Sequence, residues 1–299
     1  MSPRDARQRR WRAYAALAAA VLGMSWSAVF VRWAGIPGPA SAFYRVLIAS
    51  AILVPLWAAR GRTRPTDRRA MLLALAGGVF FAIDIALFNT AVLRTSAATA
   101  VLLGNSAPVF VGLATWLVFR RRPRAQFWIG LALSFAGCAS IVGTDALSGA
   151  RAGATEGDLI ALAASVFWAA YMLTTEHARA EMDTLTFNTL AIAGSVMTLL
   201  VVCLSTGVPL AGYSGRTWAS LFALGLISQF AAYFAFVYAL GHLPATLTSV
   251  ANLAQIPLAA LLAVPLLGEP VSRAQIAAGM LVLTGIYVVS KPARFSAGS

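Results

Sequence analysis

Pro108-Val109-Phe110, then Arg124-Ala125-Gln126 and Gly130, return later in the chain as Pro257-Leu258-Ala259, Arg273-Ala274-Gln275 and Gly279. Each pair is 149 residues apart. Upstream, Gly77, Phe88 and Ala91 match Gly225, Phe236 and Ala239 at a spacing of 148, and Leu17 and Trp26 match Leu159 and Trp168 at 142. One match between apolar segments is cheap. A register held through several segments marks a duplicated chain.

What is duplicated is apolar. Of the 299 residues, 60% are hydrophobic and only 11% charged, against roughly 25% charged in a soluble domain. Ten runs are long enough for a bilayer core of about 30 Å: 14–31, 40–59, 70–93, 97–119, 127–143, 157–175, 185–206, 217–240, 245–267 and 275–290. The first follows Arg7, Arg9 and Arg10 as a secretory leader would, but it outruns a leader's apolar core, and the repeat requires it. The expected fold is an all-α polytopic membrane protein. It has a basic tail at 1–12, a first five-helix repeat at 13–144, a connection at 145–156, a second repeat at 157–290 and a tail at 291–299.

Five is odd, so the second copy enters the membrane from the opposite side. Inverted repeats are the plan of many secondary transporters, with the substrate site near the midplane between the halves. Charge agrees with the inversion. Seventeen of the 23 basic residues fall on the side of both chain ends, which the positive-inside rule places in the cytoplasm, and hence in an inner (cytoplasmic) membrane. The turn Arg120-Arg121-Arg122-Pro123-Arg124 would face in, while its counterpart Gly268-Glu269-Pro270-Val271-Ser272-Arg273 would face out. A net charge of +13 could point to nucleic acid, but the cations sit in short clusters between spans and form no basic face for phosphates.

The residues also resemble a known family. Thr95-Ser96-Ala97-Ala98-Thr99-Ala100, Pro108, Gly130 and Gly137 in the first copy are similar to the EamA module of the drug/metabolite transporter superfamily. The second copy is closer still, with Leu243-Pro244-Ala245-Thr246, Pro257, Gly268-Glu269-Pro270, Gly279 and Gly285. Trp26 and Phe43-Tyr44-Arg45 fit the usual module start. The resemblance implies a ten-helix basket around a central cavity that rocks between two openings. Within the superfamily the chain looks most like the YddG-type exporters of aromatic and other amino acids. It departs at Phe119-Arg120, where the module usually carries Gly-Glu; losing the glycine is expected to loosen that turn.

Polar groups within apolar spans are functional candidates by default. Asp84 lies deep in the third span, either to bind a substrate ammonium or coupling proton or to hold neighbouring helices together. Arg45 either meets a substrate carboxylate or plays a structural part, snorkelling or tying its helix to a backbone carbonyl. Helical spacing groups Phe80 with Asp84, Gln229 with Tyr233, Trp168 with Tyr171, and Asn252 with Gln255, with Trp26 and Asn105 on matching spans. As a set these form the expected substrate pocket, with Pro108 and Pro257 as hinges. Amides and an acid beside aromatic walls suit a small amphipathic solute.

Other chemistry lacks its residues. Cys138 and Cys203 lie in separate apolar runs, and His177 and His242 are the only histidines, which leaves little for a disulfide framework or a metal. No His-Glu-x-x-His, Gly-x-Ser-x-Gly or phosphate-loop motif occurs, so neither an enzyme nor a primary pump is expected, and no cofactor. The expectation is a monomeric secondary transporter exporting amino acids or similar metabolites; an exporter of other metabolites or drugs is the alternative, ahead of an intramembrane enzyme or a lipid flippase.

Overall fold

The computed structural model describes residues 3–60, 67–94, 97–146, 156–258, 261–262 and 273–291, and among these there is no strand. Span 1 is α1 (Pro3–Ser25) and α2 (Ser27–Ala34), broken at Trp26; spans 2 and 3 are α3 (Gly38–Arg60) and α4 (Arg68–Arg94). Span 4 is split into α5 (Ala97–Gly104) and α6 (Ala107–Leu117), and span 5 is α7 (Ala125–Ala146). In the second half come α8 (Glu156–Glu181) and α9 (Thr184–Ser205). Span 8 is α10 (Gly215–Ala223), a π-helical stretch (Leu224–Ala231) and α11 (Ala232–Leu240). Span 9 starts as α12 (Ala245–Asn252) and resumes at 255–258; span 10 is α13 (Arg273–Ser290). The far end of the predicted span 245–267 lies outside the described residues, as do 147–155 of the expected connection.

Spans 1, 2, 3, 6, 7 and 8 are long and apolar enough to cross a membrane, and spans 4, 5 and 10 carry shorter apolar helices. The expected basic tail is itself helical from Pro3. Proline suits a first helical position, and the Ala, Arg and Gln that follow are good helix formers.

The packing shows the duplication. Span 3 lies on spans 6 and 7, and span 8 lies on spans 1 and 2. Spans 2 and 7, 4 and 9, and 5 and 10 pair across the halves. Exchanging the two repeats maps this set of contacts onto itself, as a two-fold relation between them requires. Without a hydrophobic drive between helices in lipid, close backbone approach through small residues holds such pairs. A Cβ on Gly78 would collide with the Ala191 carbonyl oxygen, so α4 and α9 meet there backbone to backbone. Gly130 and Gly285 do the same for α7 and α13.

The main apolar core draws chiefly on spans 1, 2, 3, 6, 7 and 8, joined by Ala107 and Val111 of span 4 and Ala245 and Ala251 of span 9. A second cluster, with Phe127, Leu131, Val250, Leu253 and Val282, joins spans 5, 9 and 10. Each body thus draws on both repeats.

Candidate functional site

The helix interruptions meet at one place. Span 1 breaks at Trp26, span 4 at Asn105-Ser106 and span 9 at Leu253-Ala254. Around these breaks Ser25, Ser27, Asn105, Asn252 and Gln255 line a cavity of about 100 Å³, completed by Arg45, Asp84, Phe88, Trp168 and Tyr233. Broken helices free backbone polar groups, which membrane proteins tolerate only where protein or a cavity receives them. Pro108 lies in the first turn of α6, just past the break, where a missing N–H costs nothing. Pro257 occupies the matching place where span 9 resumes. The prolines therefore mark restarts beside the cavity.

Arg45 is the cavity's cation and is 3% exposed. Its Nε donates to Gln229 Oε1 at 2.8 Å and Nη1 donates to Ser27 Oγ at 3.3 Å. The guanidinium carbon lies 5.5 Å from the centre of the Tyr233 ring, in cation–π range. Gln229 comes from the π-helical stretch of span 8, whose wider turn is a frequent device at functional sites. Ser228 beside it donates to the Gly23 carbonyl on α1 at 2.9 Å. Asp84 is buried on the same cavity. Among the described residues it closes no ion pair with Arg45. Asp84 and Arg45 thus face one small space without touching each other.

Aromatic rings form the adjoining wall. Trp168 stacks on Tyr171 at 5.2 Å and on Phe236 at 5.3 Å, and Phe81 lies 4.7 Å from Tyr233 and 5.1 Å from Tyr171. On the cavity edge, Gln255 Nε2 donates to Asn252 Oδ1.

Of the sequence candidates, Arg45, Asp84, Asn105, Trp168, Tyr233, Asn252 and Gln255 line the cavity together. Gln229 and Tyr171 stand one layer behind, holding Arg45 and Trp168. Two lie elsewhere. Trp26 stacks on Phe30 at 5.7 Å beside Leu224, and Phe80 turns to Phe167. Phe81, three residues before Asp84, is the ring that joins the aromatic wall. Spacings of three and four both share a helix face, so periodicity alone left Phe80 and Phe81 equally open. Ser25 and Ser27 are lining residues that no sequence signal singled out, and Phe88 stood out only as a repeat position. Cys138 and Cys203 are buried free thiols, and no group of three or more metal-binding side chains occurs among the described residues.

Known proteins are similar to this chain. Residues 11–143 and 155–291 each match the EamA-like transporter family. The uncharacterized transporter YwfM of Bacillus subtilis (strain 168) is 30% identical over 260 residues, which cover 84% of this chain and 83% of that protein. An uncharacterized transporter of Archaeoglobus fulgidus is 27% identical over 257 residues, or 83% of this chain and 86% of its own length. A solved crystal structure with 20% identity superposes with a TM-score of 0.77 over 94% of this chain and 98% of its own, which bears on fold alone. With two matched modules that together span nearly its whole length, the chain belongs to the EamA-like transporters of the drug/metabolite transporter superfamily.

Proposed function

We propose that this membrane transporter exports amino acids, binding them between its two repeats and passing them out of the cytoplasm by alternating access. The observation that carries the reading is the pairing of Arg45 and Asp84 on one cavity beside an aromatic wall. An amino acid presents the complementary set: a carboxylate for the guanidinium fork, an ammonium for Asp84, and a side chain for Trp168 and Tyr233. Ser27, Asn105, Asn252 and Gln255 supply the orienting hydrogen bonds typical of such pockets.

Size and charge narrow the choice. The cavity is smaller than the roughly 300–1,000 Å³ of sites for drug-sized ligands. Arg45 is the single buried Lys or Arg among the described residues, which leaves the phosphates of a nucleotide-sugar without a clamp. Both chain ends lie in the cytoplasm in this reading, the transporter works as a monomer in an inner membrane, and transport chemistry takes the place of catalysis.

Counterflow in proteoliposomes tests the proposal with labelled amino acids, nucleotide-sugars and organic cations. At least one amino acid should exchange. Exchange of nucleotide-sugars or cations without any amino acid would overturn the substrate class. Asp84→Asn should abolish exchange if the carboxylate receives the ammonium. An asparagine variant exchanging at the native rate would remove Asp84 from the site.

A further inference from the structure

A second cavity, of about 610 Å³, lies between the first turns of α1, the turn after span 4 and the end of α13. Three separate segments bring cations to it: Arg9 and Arg10 from α1, Arg121, Arg122 and Arg124 from the turn between spans 4 and 5, and Lys291 after α13. The fourth wall is the turn from His242 to Leu247, between spans 8 and 9. No Asp or Glu stands among the lining residues. Among the described residues none of the six cations meets a carboxylate, although Arg60 and Arg94 are paired with Asp183 and Glu156. Positive charge held together without counter-charge repels itself, and a bound anion relieves that cost.

The surroundings say which anion. Arg122 lies over the Trp116 ring at 5.5 Å, Lys291 over Tyr287 at 4.7 Å and Arg10 over Tyr14 at 5.7 Å. Trp and Tyr beside cations mark the level of lipid headgroups. Leu117 and Val118, just before the basic turn, are 67% and 71% exposed, an apolar strip placed for acyl chains. We infer that this cavity binds the phosphate headgroup of an anionic phospholipid, as basic pockets between spans do. The site is separate from the Arg45–Asp84 cavity and does not depend on what that cavity transports.

The test weighs lipid retention by the full chain in mixed micelles of phosphatidylglycerol and phosphatidylcholine, read by native mass spectrometry. The protein should retain phosphatidylglycerol in preference. Arg121→Gln/Arg122→Gln/Arg124→Gln should weaken retention on the order of a hundredfold. The charge-preserving Arg121→Lys/Arg122→Lys/Arg124→Lys protein should keep most of it, at an unchanged melting temperature. Arg68→Gln/Arg69→Gln, which removes charge from the same face outside the cavity, should retain lipid as the native chain does. Equal retention of the two lipids overturns the inference, and so does equal loss in the Arg68/Arg69 variant or in the lysine variant. Displacement of phosphatidylglycerol by millimolar inorganic phosphate would also overturn it, reassigning the site to free phosphate.

Discussion

At the scale of single residues, Arg45 sets the terms. Its guanidinium meets Gln229, Ser27 and Tyr233 at once, a fan of contacts that a lysine ammonium does not reproduce. Arg45→Lys should therefore raise the KM for a zwitterionic amino acid at least tenfold, or about 1.4 kcal/mol. It should leave exchange of the matching amine, which has no carboxylate, within twofold. Loss of both to the same degree would make Arg45 a packing residue. Gln229→Ala leaves Arg45 Nε buried and unpaired, and should destabilise the protein by about 1–3 kcal/mol, read as a lower melting temperature. Arg45 and Asp84 were legible because a charge inside an apolar run is rare. The role of Gln229 was not, since its partner lies 184 residues away. Register made Trp26 and Trp168 equivalent, yet span 1 breaks at Trp26 while α8 runs unbroken through Trp168, and only the second ring reaches the cavity.

Elements carry their own strains and caps. Arg120 has φ +52°, left-handed backbone on a side chain that resists it. The turn thus keeps a conformation suited to glycine, next to the very position where the family's glycine is replaced by Phe119. Left-handed backbone costs a non-glycine residue about 1–2 kcal/mol, so Arg120→Gly should raise the melting temperature in detergent, whereas Arg120→Val should lower it. Asp183 caps α9, accepting from the backbone N–H groups of Leu185 and Thr186 and from Thr186 Oγ1. Burial pushes its carboxyl up, but these bonds and Arg60 outweigh that and hold it below the ordinary 3.8. A depressed carboxylate stabilises the fold above the unfolded value and loses that contribution as pH falls through the folded one. Asp183→Ala should cost about 1 kcal/mol at neutral pH, a difference from the native protein that closes below about pH 4; a constant gap down to pH 3 would exclude the linkage. The breaks of spans 4 and 9 were foreshadowed by Pro108 and Pro257. The π-helical stretch had no such signal, because Leu224–Ala231 reads as ordinary apolar helix; in the fold it packs against α1 and α3.

For the whole molecule, the duplication readable at 149 residues sets how the chain interlocks, because a repeat of five spans turns over each time it is laid down. Contacts exchange under swapping of the halves, and the larger packing body draws chiefly on spans 1, 2 and 3 from one repeat and 6, 7 and 8 from the other. Neither repeat encloses the cavity alone: Arg45 and Asp84 come from the first, Trp168 and Tyr233 from the second. In the proposed transport cycle one body would rock against the other and open this cavity to alternate sides, with the broken spans 4 and 9 lining it. All of this requires antiparallel insertion. Cysteines placed at Ser2 and Ser148 should report opposite faces, since five spans separate them. A membrane-impermeant maleimide should label Ser148→Cys in intact cells and Ser2→Cys only after permeabilisation, while the native Cys138 and Cys203 stay silent because both are buried. Labelling of both positions from one side would mean an even number of crossings between them. The two repeats would then lie parallel, and the two-fold arrangement that brings Arg45 against Gln229 would have no way to form.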